Sequence, residues 1–281
     1  MSNKIIMFPG QGSQYKGMGE ELFKMFPEAV KIANYSLGYD IVELCLKDPE
    51  NKLNQTNYTQ PALFFVNYLN YQKYLQSNQG ADYFIGHSLG EFNALNASGV
   101  FDLHSGLKIV QKRGELMYSI SGTGMAAVVG ADYMEIKEIL SAHLPTIDIA
   151  NINTSTQIVI SGKTDDLEKA ADFFEEEGLA YIPLKVSGAF HSRYMSPIKE
   201  KFQNFVEGIV MQRCQVPVIS NYSGIEYPND QKGIIDNIVN QIDSPVRWLP
   251  SMEYIMGKGA CEFLEIGAGE VLTNLVKKIK V

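Results

Sequence analysis

The sequence predicts an α/β fold in which a larger α/β body carries a smaller inserted module. Three observations lead there. Short apolar runs at residues 4–8, 81–85, 216–220 and 260–266 are bounded by turn residues and suit buried strands. Segments with helical periodicity lie between them. Between residues 125 and 186 the texture changes to brief β-like runs (MAAVVG, IDIAN, QIVISG, YIPLKV) separated by two acidic helical stretches.

Taken in order, KIIMF at 4–8 is a short apolar run that suits a fully buried strand closed by Pro9-Gly10, and a loop with Gly10 and Gly12 follows. Residues 20–37 read as one helix and 60–75 as another, with Pro61 in a first turn that tolerates it. The run ADYFI enters Gly86-His87-Ser88-Leu89-Gly90, and 91–97 is helix-like; residues 105–117 form an amphipathic helix carrying Arg113. In the middle segment, helices at 133–143 and 165–177 complete a βαββαβ order, the pattern of a ferredoxin-like module. The chain then returns to helix (196–207), strand (216–220), helix (233–241), strand (260–266) and helix (270–279). The expected division is a large subdomain of residues 1–124 and 187–281 and a small one of 125–186.

The 281 residues, 45% of them hydrophobic and 20% charged, are of ordinary globular composition and exclude wholesale disorder or a fibrous repeat. A net charge of −8 argues against a protein whose main work is coating nucleic acid, which needs excess Lys and Arg. Cys45, Cys214 and Cys261 are scattered and odd in number, as expected of thiols in a reducing compartment. The N-terminal apolar run is too short for a signal peptide, and no window reaches the length of a membrane helix. These readings predict a cytoplasmic protein away from membranes.

Gly86-His87-Ser88-Leu89-Gly90 is a G-x-S-x-G between a strand and a helix. In such an elbow the glycines relieve crowding and the serine Oγ is presented at a helix N-terminus, where backbone N–H groups face a developing oxyanion. The order Ser then His fits an α/β-hydrolase-like body. Four histidines are candidate bases. His87 adjoins the serine and reads as a packing or hydrogen-bonding residue, while His104 and His143 lie at polar element boundaries. His191, in the small-residue loop Val186-Ser-Gly-Ala-Phe-His-Ser-Arg193, is the modest favourite. Its orienting partner stays open between the Asp243 carboxylate and a main-chain carbonyl, because either holds the tautomer. One oxyanion donor is expected from the Leu89 N–H and another from the Gly10-Gln11-Gly12 turn. That turn is not a dinucleotide fingerprint, since position 15 is tyrosine.

Eight ordered blocks extend these observations along nearly the whole chain: Phe8-Pro-Gly-Gln-Gly-Ser-Gln14, Gln60-Pro-Ala62, Gly86-His-Ser-Leu-Gly-Glu91, Lys112-Arg-Gly-Glu-Leu-Met117, Asn151-Ile-Asn153 with Val159-Ile-Ser-Gly162, Ala189-Phe-His-Ser192, Ser244-Pro-Val-Arg-Trp248 and Glu265-Ile-Gly267. With them the sequence resembles the malonyl-CoA:acyl carrier protein transacylases, most of all the stand-alone, trans-acting acyltransferases of modular polyketide synthases. A housekeeping fatty-acid enzyme is the runner-up.

The resemblance implies a ping-pong transfer in which Ser88, activated by His191, takes malonyl from malonyl-CoA and passes it to the phosphopantetheine thiol of a holo acyl carrier protein. It assigns the oxyanion hole to Gln11 and Leu89, and orientation of His191 to a carbonyl of Gln241 rather than to Asp243. Arg113 becomes the clamp for the malonyl carboxylate, a role suited to its planar fork. Phe190 crowds an α-methyl branch, and Gln60, Met117, Asn151 and Asn153 line the pocket. No metal or redox cofactor is implied, and a monomer is. Gly188 and Ala268 depart from the commoner residues at their positions. The alternatives are an acyl hydrolase that clears carrier proteins, disfavoured by Arg113, and a silent docking subunit, disfavoured by the retained Ser88 and His191. Against an acidic carrier, the chain's own acidity leaves docking to local cations, with Lys16, Lys112, Arg193, Lys199 and Arg247 as candidates.

Overall fold

The computed structural model describes residues 2–279; Met1, Lys280 and Val281, which the expected outer boundaries include, lie outside the described residues. Among the described residues, eight strands form two sheets. They are β1 (Asn3–Phe8), β2 (Tyr83–Gly86), β3 (Thr123–Val129), β4 (Asp148–Thr154), β5 (Gln157–Lys163), β6 (Ala180–Pro183), β7 (Val218–Ile219) and β8 (Cys261–Glu265).

The first sheet is parallel with order β7-β2-β1-β8, in the register Phe8↔Gly86 and Asn3↔Cys261. Each strand feeds two cores because successive side chains point to opposite faces. Ile6, Phe8, Phe84 and Val218 enter the larger core, with the helices Thr56–Leu75, Leu103–Tyr118 and Ser196–Glu207. Ile5, Met7, Ile85 and Ile219 enter the other, with Trp248–Met256 and Val271–Ile279. Burial on both faces explains why these strands read as unbroken apolar runs.

The second sheet is antiparallel with order β4-β5-β3-β6. Ala126 and Val128 face the helices Tyr133–His143 and Thr164–Glu176, whereas Met125 and Ala127 join the large body's core. The sheets meet where Asn151 bridges Val246: Ile152 N–H donates to the Val246 carbonyl at 2.9 Å, and Val246 N–H to that of Ala150 at 2.8 Å. This seam holds β4 against the parallel half of the molecule.

Several expected elements change. Residues 20–37 form two helices, Glu20–Met25 and Pro27–Leu37, because Phe26 precedes a proline and leaves the α region at φ −125°, ψ 59°. The expected 60–75 helix begins earlier, at Thr56, where the Gln55 carbonyl accepts from Tyr58 and Thr59, so Pro61 lies beyond the first turn. The strand at 216–220 shortens to Val218–Ile219. Two helices not expected from the sequence are Ile41–Leu46, capped by the Asp40 side chain, and Trp248–Met256.

Candidate active site

The strand β2 ends at Gly86, and the helix Gly90–Ala97 starts four residues later, leaving Ser88 at φ 51°. Neighbouring backbone dictates the glycines. A Cβ on Gly86 would lie 1.9 Å from the Gly90 carbonyl carbon, and one on Gly90 would lie 2.0 Å from the Phe8 carbonyl oxygen. The turn after β1 packs on the same elbow, since a Cβ on Gly10 would lie 2.3 Å from the His87 carbonyl oxygen. That packing brings the Gln11 segment beside Leu89. The Gln11 side chain donates to Thr56 Oγ1 at 3.2 Å, and Thr56 Oγ1 pairs with Ser187 Oγ at 2.8 Å.

Ser88 Oγ lies 2.7 Å from His191 Nε2, and His191 Nδ1 lies 2.8 Å from the main-chain oxygen of Gln241. With Nδ1 donating to that carbonyl, Nε2 carries the lone pair and accepts the serine proton. Burial, and then the charge of Arg113, push His191 down to about 3, so the imidazole is neutral and ready to act as a base near neutral pH. Asp243 takes no part in this. Its carboxylate accepts from Ser196 Oγ at 3.0 Å and Lys199 Nζ at 2.9 Å, and the contact at His191 Nδ1 is the Gln241 carbonyl.

Arg113 is 1% exposed. Its Nη1 donates to Gln60 Oε1 at 2.9 Å, and its Nη2 to Gln241 Oε1 at 2.8 Å and Ser88 Oγ at 3.1 Å. The face of Phe92 lies 5.2 Å from the guanidinium carbon. Two neutral amide oxygens therefore fix the plane of the cation without neutralising it. Its Nε has no hydrogen-bond partner, so the group has donor capacity in hand for an anion.

The other expected residues fall into two groups. Gln60 Nε2 lies 3.3 Å from Met117 Sδ, tying that pair to the arginine's surroundings, and Phe190 is buried directly before His191. From the small sheet, Asn153 Oδ1 pairs with His87 Nε2 at 2.9 Å, while Asn151 Oδ1 is buried without a partner. His87 is thus a half-buried hydrogen-bonding residue, 5.5 Å from the Trp248 ring, and His104 and His143 are exposed. Three residues went unnoticed in the sequence. Asn221 Oδ1 accepts from Ser88 N–H at 2.7 Å and its Nδ2 donates to the Gly86 carbonyl at 2.8 Å; Glu91 and Tyr227 lie behind it. A cleft of about 560 Å³ opens onto His191 beside the helix Tyr133–His143, lined by Tyr133, Lys137, Ile149, Ser192, Arg193 and Pro245, among others.

Comparison with known proteins fits this arrangement. Residues 5–279 match the model of the acyl transferase domain. The polyketide biosynthesis malonyl CoA-acyl carrier protein transacylase BaeC of Bacillus velezensis is 47% identical over 278 residues, covering 98% of this chain and 96% of that protein. The polyketide biosynthesis protein ThaF of Burkholderia thailandensis is 46% identical over 99% of this chain, which spans only 24% of ThaF. The crystal structure of malonyl CoA-acyl carrier protein transacylase from Burkholderia pseudomallei superposes with a TM-score of 0.95 at 41% identity, covering 100% of this chain and 98% of that one. With a mixed α/β fold matching the transacylase structures and a family model spanning nearly its whole length, the chain belongs to the acyl transferase domain family.

Proposed function

We propose that the protein is an [acyl-carrier-protein] S-malonyltransferase that moves malonyl from malonyl-CoA, through an ester on Ser88, to the phosphopantetheine thiol of a carrier protein in polyketide synthesis. One observation carries this reading: Ser88 Oγ lies 2.7 Å from a neutral, buried imidazole and 3.1 Å from a buried guanidinium that no carboxylate among the described residues contacts directly. The first contact makes a nucleophile, and the second selects an acyl group ending in a carboxylate.

In the first half-reaction Ser88 Oγ attacks the thioester carbonyl and its proton passes to His191 Nε2. The Leu89 and Gln11 N–H groups receive the oxyanion. Collapse breaks the C–S bond, and CoA leaves with the proton from His191. In the second half-reaction the carrier thiol gives its proton to His191 and attacks the seryl ester; Ser88 leaves and takes the proton back. Throughout, Gln241 holds the imidazole, Arg113 grips the malonyl carboxylate, and Phe190, Gln60, Met117, Asn151 and Asn153 shape the pocket. The likeness to a polyketide transacylase supports a polyketide role over a fatty-acid one.

We divide the chain into an α/β-hydrolase-like unit, residues 1–124 with 187–281, and a ferredoxin-like unit, residues 125–186. The parallel sheet with its elbow supports the first and the β4-β5-β3-β6 order the second. A cytoplasmic monomer that uses no cofactor completes the reading. Of the docking candidates, Arg193 is paired with Asp148, Lys199 with Asp243 and, more loosely, Lys112 with Glu115 at 3.9 Å, which turns attention to Lys16 and Arg247.

Steady-state comparison of acceptors tests the function. Transfer from malonyl-CoA to a holo carrier protein is expected to outrun hydrolysis by at least about tenfold, since a factor of ten is only about 1.4 kcal/mol of barrier. Equal rates to thiol and water would overturn the transferase reading in favour of a hydrolase.

A further inference from the structure

Glu91 occupies the first turn of the helix Gly90–Ala97, where an acidic side chain ordinarily faces solvent, yet it is fully buried. A carboxylate taken out of water is retained only when hydrogen bonds satisfy it. Both oxygens here are occupied. Oε1 accepts from Asn221 N–H at 3.1 Å and from the Tyr227 hydroxyl, and Oε2 accepts from Gln241 Nε2 at 2.5 Å. Burial pushes the group up to about 7, while these donors and the charge of Arg113 hold it down.

Two of the three donors lead to the reacting residues. Gln241 orients His191 through its main-chain carbonyl; its Nε2 also donates to the Ser88 carbonyl at 2.9 Å, and its Oε1 takes Arg113 Nη2 at 2.8 Å. Asn221 holds the Ser88 N–H and the Gly86 carbonyl on either side of the elbow. A residue at φ 51° needs such over-determination to persist.

We propose that Glu91 is a positioning residue of the transfer: by gripping Gln241 and Asn221 it fixes the His191 imidazole, the strained Ser88 backbone and the Arg113 guanidinium at once. This deepens the transferase reading and rests on it. The group must accept at every contact, because its partners are N–H and O–H donors; glutamine would turn an NH2 toward one of them. The interposed Gln241 amide also keeps Glu91 out of direct contact with Arg113. The charges are balanced nearby, but the arginine stays open to a substrate carboxylate.

The test uses the full chain as wild type, Glu91→Gln, Glu91→Asp and Tyr227→Phe. Three quantities are read: kcat and KM for malonyl transfer, the rate of Ser88 modification by phenylmethylsulfonyl fluoride, and Tm. That reagent needs the Ser88–His191 pair but no malonyl recognition. Glu91→Gln is expected to lower kcat at least about tenfold with KM within about twofold, to slow sulfonylation in parallel, and to be partly rescued by Glu91→Asp, tenfold being about 1.4 kcal/mol. In a Gln241→Ala background the same change should cost less than about twofold, because coupled residues are non-additive. Wild-type kcat and sulfonylation in a folded Glu91→Gln protein, whatever its Tm, would overturn the proposal, as would full additivity with Gln241→Ala. Should Glu91→Gln fail to fold, Tyr227→Phe decides: kcat reduced about threefold or more at constant KM supports the proposal and unchanged kcat overturns it. If wild type is sulfonylated but never malonylated while Glu91→Gln slows sulfonylation, the transferase reading fails and the positioning role stands.

Discussion

The elbow after β2 and the loop after β6 each hold one member of the dyad in the left-handed region, Ser88 at φ 51° and His191 at φ 59°, but by different means. At the elbow the constraint is steric, as Gly10, Gly86 and Gly90 bring backbone to within distances at which no Cβ fits. At the loop it is polar. Ala189 N–H donates to Thr123 Oγ1 at 2.9 Å, Ser192 Oγ to the Ala189 carbonyl at 2.6 Å, and Arg193 N–H to Asp148 Oδ2 at 2.9 Å. Backbone contacts cannot relax by rotating a side chain, whereas each neutral hydrogen bond contributes about 1 kcal/mol. In the proposed mechanism the turn that carries the nucleophile is therefore shaped first by the fold itself and held in addition by hydrogen bonds to Asn221 and Gln241. The base is fixed by contacts between loop and sheet, and the polar contacts are what substitution can tune.

The largest effect should come from breaking the steric half. Gly90→Ala forces a Cβ to 2.0 Å from the Phe8 oxygen and is expected to cost about 4 kcal/mol or more, lowering Tm by about 10 °C or abolishing folded expression. Thermal unfolding checks this; a Tm near wild type would show the elbow to be yielding. Next is the charge facing the elbow. Arg113→Ala should lower malonyl loading about 100-fold and spare acetyl loading, and Arg113→Lys should not restore it, as seen in stopped-assay rates with both acyl-CoAs. On the polar half, Thr123→Val removes the acceptor for Ala189 N–H and should reduce kcat about threefold to tenfold with little change in KM. Asp148→Asn weakens a pair whose Arg193 side chain is 60% exposed, and should change kcat less than about twofold.

Acid titration probes the loop differently. In the proposed mechanism neutral His191 is the base, and its folded value, about 3, lies below the unfolded 6.5. Protonation of His191 should therefore limit Ser88 loading only well under pH 6.5 in a pH–rate profile, and a limb nearer 7 in the wild type belongs to Glu91, whose protonated form no longer accepts at every contact. The unfolded chain binds the extra proton between those values, so the stability contributed by this group is present above about pH 6.5 and is lost as pH falls toward 3. Glu91, raised from 4.5 to about 7, has the opposite sign: its contribution is present below pH 4.5 and lost as pH rises through 7. A limb at 6.5 or above that persists in Glu91→Gln would show His191 to be solvated.

The steric half was legible in the sequence because its cause is local: G-x-S-x-G, with an apolar strand before it and a helix after it, specifies the elbow in five residues. The polar half was not, because its causes lie far apart in the chain. Residue spacing alone left Asp243 and a main-chain carbonyl as equal partners for His191, and only resemblance pointed to Gln241. Glu91 was hidden for a related reason. An acidic residue in a first helical turn reads as a solvated partner of the helix dipole, and its burial depends on Asn221, Tyr227 and Gln241, which lie 130 or more residues away. In the fold, the βαββαβ order was readable from alternating strand and helix signals. The break at Phe26-Pro27 and the helix Trp248–Met256 were not, since the first interrupts an otherwise helical pattern and the second follows a proline-containing loop.

The most direct test of the account is intact-protein mass spectrometry after mixing the chain with malonyl-CoA. The account predicts the addition of one malonyl group to the wild type, discharged by holo carrier protein, and none to a Ser88→Ala variant. No adduct on the wild type, or an equal adduct on Ser88→Ala, would contradict it.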